Sequence, residues 1–237
     1  MRRFLLILSA FAFAVASASA AKMTSVLSKP DLEAIHKAVI DENSEYYYPK
    51  LMKEFLANDT TMSPEAFQYL YYGTLFQEDY DPYRPAPAAA DLARIAPLMN
   101  KTQWTRSERT AIFDYSSKIL ADNPLNLRQL TNRIFVYEQN GKNDLAKIWQ
   151  YKLNHLLLVI AASGSGADTD NAWMVVYPQD EYDFLNLSGI TVKEAHFEAP
   201  YFDYVVVNPR TPSSPTGYYF NIAELLRQYN IKHPSEE

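Results

Sequence analysis

From Leu32 to Ala162 the apolar positions recur every three or four residues; beyond Ala172 they fall into short runs that alternate or stay wholly apolar. The first pattern predicts helices. Leu32, Ile35 and Val39 share one face of a segment that Ser28 is placed to cap, with Asp31 in its opening turn. Leu51, Phe55 and Leu56 mark a helix over Tyr48–Leu56 that starts near Pro49. Ser63-Pro64-Glu65 supplies a capping hydroxyl, a proline at the first helical position and an acid against the positive end of the dipole. Phe67, Leu70, Tyr71 and Leu75 follow on the helical period. Pro82, Pro85 and Pro87 then impose a loop. A helix over Ala88–Met99 is kinked or shortened by Pro97. Thr105 and Glu108 form a capping box ahead of Ile112, Tyr115 and Ile119. Asn123-Pro124 separates that helix from one carrying Leu127, Leu130, Ile134 and Tyr137. Asn140-Gly141 turns the chain into a last helix, Asp144–Ala162, with Ala146, Trp149, Leu153 and Ile160 inside.

The pair over Pro124–Ala162 has the anatomy of a tetratricopeptide-like hairpin, with small Ala146 where the second helix crosses, although no second copy follows at that repeat's period of about 34 residues. Residues 21–163 are therefore expected to form a helical-hairpin array. Ser163-Gly164-Ser165-Gly166 and the polar run to Asn171 hold two of the six glycines and predict a hinge over residues 164–171. Strands are expected at Ala172–Tyr177, Ile190–Phe197, Tyr201–Val207 and Gly217–Ile222, with short helices at Asp180–Leu187 and Ala223–Tyr229. The whole is an α+β chain, in which the tetratricopeptide-like array precedes a small antiparallel-sheet α+β domain over residues 172–237.

The first twenty residues do not belong to that fold. Arg2-Arg3, an apolar run from Phe4 to Ala16 broken only by Ser9, and Ala18-Ser19-Ala20 have the layout of a cleaved signal peptide. The run is shorter than the about 20 residues a bilayer-spanning helix needs. Export to the periplasm or the extracellular space is expected, with no membrane span after cleavage. The chain carries 22 Lys and Arg against 28 Asp and Glu, and losing Arg2 and Arg3 makes the mature protein more acidic still. Without clustered basic residues it has no general attraction for nucleic acid. It also has no cysteine, which excludes disulfides, thiol nucleophiles and Cys-ligated metals. With 48% apolar residues the core alone can hold a chain of this length.

Few residues invite chemistry. None of the four histidines has the spacing of a metallopeptidase helix. His196-Phe197-Glu198 matches half of a nucleobase-deaminase signature, but the other half requires cysteines. Counted as a calcium loop from Asp168, the fifth, sixth and twelfth positions are Ala172, Trp173 and Gln179, none of which fits. Too few glycines remain for a phosphate-cradling loop, and no cofactor or metal is expected. Glu78, Asp79 and Asp81 form an acidic cluster that could serve a carboxylate-dependent hydrolase if two of them faced each other across a cleft.

Tyrosines are the stronger signal. Tyr46, Tyr47, Tyr48, Tyr69, Tyr71, Tyr72, Phe76, Tyr80 and Tyr83 fall close together, and adjacent helical positions point about 100° apart. Tyr71 shares the stripe of Phe67 and Leu70 and reads as structural. Tyr69, Tyr72, Phe76, Tyr80 and Tyr83 are the expected lining of a ligand or partner groove.

Tyr48-Pro49-Lys50-Leu51, Phe55, Asp59-Thr60-Thr61, Tyr69-Leu70-Tyr71-Tyr72-Gly73, Phe76-Gln77 and Tyr80-Asp81-Pro82-Tyr83 resemble a secreted family of Bacteroidetes catalogued as a domain of unknown function, of the DUF4919 type. The likeness continues through Asn123-Pro124, the glycine-rich segment and Glu181-Tyr182-Asp183-Phe184-Leu185, and so covers nearly the whole mature chain. It implies export and a two-part layout, and no reaction. The expected function is an exported, non-catalytic binding or scaffold protein with an aromatic-lined groove for a protein or peptide partner. The alternative is a hydrolase of envelope or extracellular polymers working through Glu78, Asp79 or Asp81.

Overall fold

Burial of the tyrosine-rich helix organises this fold. The computed structural model describes residues 27–99 and 101–234, so the expected signal peptide, residues 1–20, lies outside the described residues. The helical half opens with α1 (Leu32–Ile40), α2 (Tyr48–Leu56) and α3 (Pro64–Gly73), the last running into a 3-10 turn at Thr74–Phe76. Asp31, not Ser28, caps α1: its Oδ1 accepts the Ala34 N–H at 3.0 Å. Leu56, expected on the core stripe of α2, is 56% exposed. A 3-10 turn at Ala89–Asp91 leads into α4 (Leu92–Met99), followed by α5 (Arg106–Asp122), α6 (Leu127–Gln139) and α7 (Asn143–Ala162). The capping box ahead of α5 is present, Thr105 Oγ1 accepting from the Glu108 N–H and Glu108 Oε2 from the Thr105 N–H.

These helices do not confirm a tetratricopeptide array. They run from 8 to 20 residues, and the α6–α7 hairpin has no copy of matching dimensions beside it. No described helix is long and apolar enough to cross a membrane.

The second half contributes β1 (Trp173–Met174), α8 (Pro178–Leu187), β2 (Val192–Glu198), β3 (Phe202–Val207), β4 (Gly217–Asn221) and α9 (Ala223–Lys232). The sheet order is β1-β4-β3-β2. β2, β3 and β4 pair antiparallel as expected, but β1 pairs parallel with β4, so the sheet is mixed. The long excursion from Met174 to Gly217 gives the chain room for that crossover.

Val205, Val207 and Phe220 line the covered face of the sheet and belong to the same apolar core as Ile35, Phe55, Phe67, Leu70, Leu156 and Leu185. One core therefore crosses residue 163. The segment at 164–171, read above as a hinge, is tied down: the Ser165 and Gly166 N–H groups donate to Asn171 O, and Trp173 Nε1 donates to Gly164 O at 2.9 Å. Gly166 adopts φ +68°, and a side chain there would run into the Trp173 ring. A second, smaller core lies under α4 and α5, around Ile95, Trp104, Ile112, Tyr115 and Val136.

Candidate functional site

The expected groove residues scatter when placed on this fold. Tyr71 and Tyr72 are both fully buried, their rings edge to face at 5.1 Å. Tyr72 is thus a core residue and not a groove residue; its hydroxyl donates to Met174 O at 3.2 Å. Adjacent rings can both be buried because α3 is covered all round, by α1, α2 and α7 and by the chain from Met174 to Asp180. Tyr80 is likewise buried, at 3% exposure, and its hydroxyl donates to Val176 O at 2.5 Å. Half-buried Tyr69 stacks on Tyr46 at 4.0 Å, and half-buried Phe76 stacks on His36 at 4.3 Å. Tyr83 alone of the five is open, at 49% exposure, its ring meeting Tyr229 of α9 edge to face at 4.9 Å.

The acidic trio does not assemble either. Glu78 and Asp79 are exposed. Asp81 Oδ1 closes a turn by accepting the Tyr83 N–H at 3.0 Å, while its other oxygen faces His233. Asp79 and Asp122 do line one cleft with Tyr48, Gln77, Tyr80, Arg84 and Tyr177, but its volume is only about 50 Å³. Arg84 holds Asp122 in an ion pair of 2.7 Å.

Acids that the sequence reading passed over are more unusual. Asp180, Glu181 and Asp183 lie in the first turns of α8, and each is at most 3% exposed. Asp180 Oδ2 accepts the Tyr71 hydroxyl at 2.8 Å, and that hydroxyl in turn accepts the Val176 N–H at 3.3 Å. Burial pushes the Asp180 carboxyl up to about 8. Asp183 takes the Arg128 guanidinium, although its Oδ2 stays without a partner. Burial raises this acid too, against the pull of Arg128.

Glu181 has no cation. Its nearest polar partner is the carboxyl of Asp203, and its Oε1 is buried with no hydrogen-bond donor. Burial first, and then the Asp203 charge, push Glu181 up to about 9, whereas Glu181 partly relieves the upward shift that burial gives Asp203. The more buried Glu181 therefore holds a proton and shares it with Asp203.

Asp203 is the second residue of β3, and by the two-residue period it shares the covered face with Val205 and Val207. Its register partners are Phe220 on β4 and Phe197 on β2. Phe220 is fully buried, but Phe197 is 59% exposed, so the carboxyl pair sits where the covered face opens. Tyr83 and Tyr182 lie close enough to feel both acids. The arrangement offers shared negative charge behind a rim of rings.

One signal in the sequence pointed here. An acid at the inward parity of Phe202-Asp203-Tyr204-Val205-Val206-Val207 contradicts a strand whose other inward positions are valine. The acids of α8 gave no such warning, because acids in a first turn look like ordinary dipole compensation. No group of three or more His, Asp or Glu among the described residues is arranged to hold a metal.

A family model described as a domain of unknown function (DUF4919) matches residues 33–231. No curated protein and no solved structure matches the chain.

Proposed function

The chain belongs to the DUF4919 family, and we propose that it is an exported, non-catalytic binding protein whose recognition surface is the open end of the covered sheet face, between Tyr83 and Phe197. One observation carries this reading: two large exposed rings frame a carboxyl pair, half-buried Asp203 and buried Glu181, whose Oε1 has no hydrogen-bond partner. Exposed aromatic anchors beside a desolvated polar group are the usual makings of a binding hot spot. Support for the exported address comes from residues 1–20, whose sequence has the layout of a signal peptide. The hydrolase alternative finds less support, since the cleft at Asp79 is too small for a polymer segment and its second acid is neutralised by Arg84.

The test uses the mature chain, immobilised and exposed to an envelope or secreted fraction, beside a Tyr83→Ala/Phe197→Ala double variant of equal thermal stability. Capture of one defined component by the wild type and its loss in the variant is the expected result. Equal capture by both overturns the assignment of the surface. Polymer breakdown that Asp79→Asn abolishes replaces binding by hydrolysis.

A further inference from the structure

Among the described residues every other nearly fully buried acid has a donor: Asp180 has Tyr71, and Asp183 has Arg128. Glu181, at 1% exposure, has only another acid. Burying two carboxyls together without a cation is unfavourable, and a shared proton relieves it only in part. Asp180 on the same helix adds a further acid, and no cationic group lowers the proton affinity of Glu181. The missing element is a positive charge.

The surroundings specify its shape. Asp203 is half-buried and therefore reachable, with Phe197 opposite it in the register and Tyr83 beside it, its ring edge to face with Tyr229. Rings around a carboxylate suit a planar guanidinium, which stacks on aromatic faces while its fork of N–H groups engages acids. An ammonium would fill the charge but leave the ring faces and the second oxygen less well used. β2 is also the last strand of the sheet, with no described strand on its outer side, so a bound chain would find free backbone groups next to Phe197.

We propose that this end of the sheet receives an arginine side chain of a partner polypeptide, whose guanidinium pairs with Glu181 and Asp203 between Tyr83 and Phe197. This rests on the binding reading above and names the chemistry of its partner. Binding balances as one proton lost: the shared proton leaves to buffer as the guanidinium enters, and the pair becomes two carboxylates facing one cation. Affinity then rises with pH, up to about tenfold per unit while the pair still holds its proton. Besides Glu181 and Asp203, the titratable groups facing the site are Asp180 and Tyr182 from α8 and Tyr83 from the loop before α4.

Calorimetry of the mature chain with a short acetylated, amidated peptide containing one arginine tests this, with the citrulline peptide as the neutral isostere. Expected are saturable binding of the arginine peptide, at least tenfold weaker binding of the citrulline peptide, and release of one proton seen by repeating the titration in buffers of different ionisation enthalpy. Glu181→Gln should reduce affinity at least tenfold and abolish proton release, with the fold checked by circular dichroism. Asp203→Asn, on the half-exposed partner, should do the same if Glu181→Gln proves unstable. Equal affinity for arginine and citrulline, or arginine binding untouched by both variants, overturns the proposal. Envelope capture that depends on Tyr83 and Phe197 but not on Glu181 or Asp203 also overturns it, while leaving the binding reading intact.

Discussion

Arg133 lays its guanidinium carbon 3.6 Å from the centre of the Phe113 ring, with Trp149 on another side at 5.3 Å. Arg133 is 5% exposed, forms no ion pair among the described residues, and leaves its Nε without a partner. Rings and the Ser117 hydroxyl stand in for a carboxylate. Lys152 of α7, at 3% exposure, repeats the device of Arg133 on α6, its ammonium over Trp149 and Phe55, and burial lowers that ammonium to about 8. Two buried cations thus join α5, α6, α7 and α2 through aromatic faces.

Removing the cover should hurt more than removing the charge. Phe113→Ala should cost roughly 2–4 kcal/mol, because it opens a cavity and strands a desolvated guanidinium. Arg133→Met keeps the volume and removes the unpaired charge, so it should cost less than Phe113→Ala. Urea denaturation of both variants decides the order. A larger loss for Arg133→Met would mean that the charge itself holds the helices together.

Stability should fall as pH rises from about 5 to 9. Asp180 and Glu181 have folded-state values near 8 and 9, well above those of the unfolded chain, so the folded state binds more protons throughout this window. Each proton lost on raising the pH favours unfolding. A few kcal/mol lost across the window corresponds to a Tm drop on the order of 10 °C for a chain of this size. Asp180→Asn should flatten that part of the curve. A Tm that climbs with pH between 5 and 9 would mean these acids are already ionised in the fold.

Tyr71→Phe isolates one hydrogen bond. It keeps the ring and deletes the hydroxyl that donates to Asp180 and accepts from Val176, leaving two buried groups unsatisfied. A loss of about 1–3 kcal/mol is expected, measured by thermal or chemical denaturation at pH 6. No loss at all would place water at that position.

Tyr72 and Tyr83 should separate cleanly. Tyr72→Ala empties a fully buried site and should cost about 3–5 kcal/mol. Tyr83→Ala removes a half-exposed ring and should move the Tm by only a few degrees while weakening partner capture. Comparable Tm losses in both variants would return Tyr83 to the core.

Gly217→Ala should disturb the open face of the sheet. The Tyr204 ring lies directly over Gly217, and a methyl there would sit 2.3 Å from Tyr204 Cζ. The ring must swing away and lose its packing on Tyr219, for a cost of about 1–2 kcal/mol. Pairing Gly217→Ala with Tyr204→Ala should recover most of it, which a double-mutant cycle measures.

Local structure was legible in the chain itself. Ser63 and Thr105 cap their helices through short-range hydrogen bonds, and Tyr48–Leu56 begins and ends where Pro49 and its apolar stripe predict. The β-branched and aromatic run Tyr201–Val207 marked a strand, because such side chains suit a pleated, half-buried surface wherever it packs. Those signals act within a few residues. The fate of Tyr72 does not: whether two adjacent rings can both be buried depends on how many elements surround α3, and one of them arrives a hundred residues later. The direction of β1 was hidden for the same reason, since two residues of strand carry no sign of their neighbour's polarity. Asp203 stands out in sequence only as an acid at an inward strand position, and Glu181 looks like an ordinary first-turn acid. Only the packing of α8 over β3 makes them a pair, because desolvation and charge proximity are properties of the assembled fold and not of the segments that enter it.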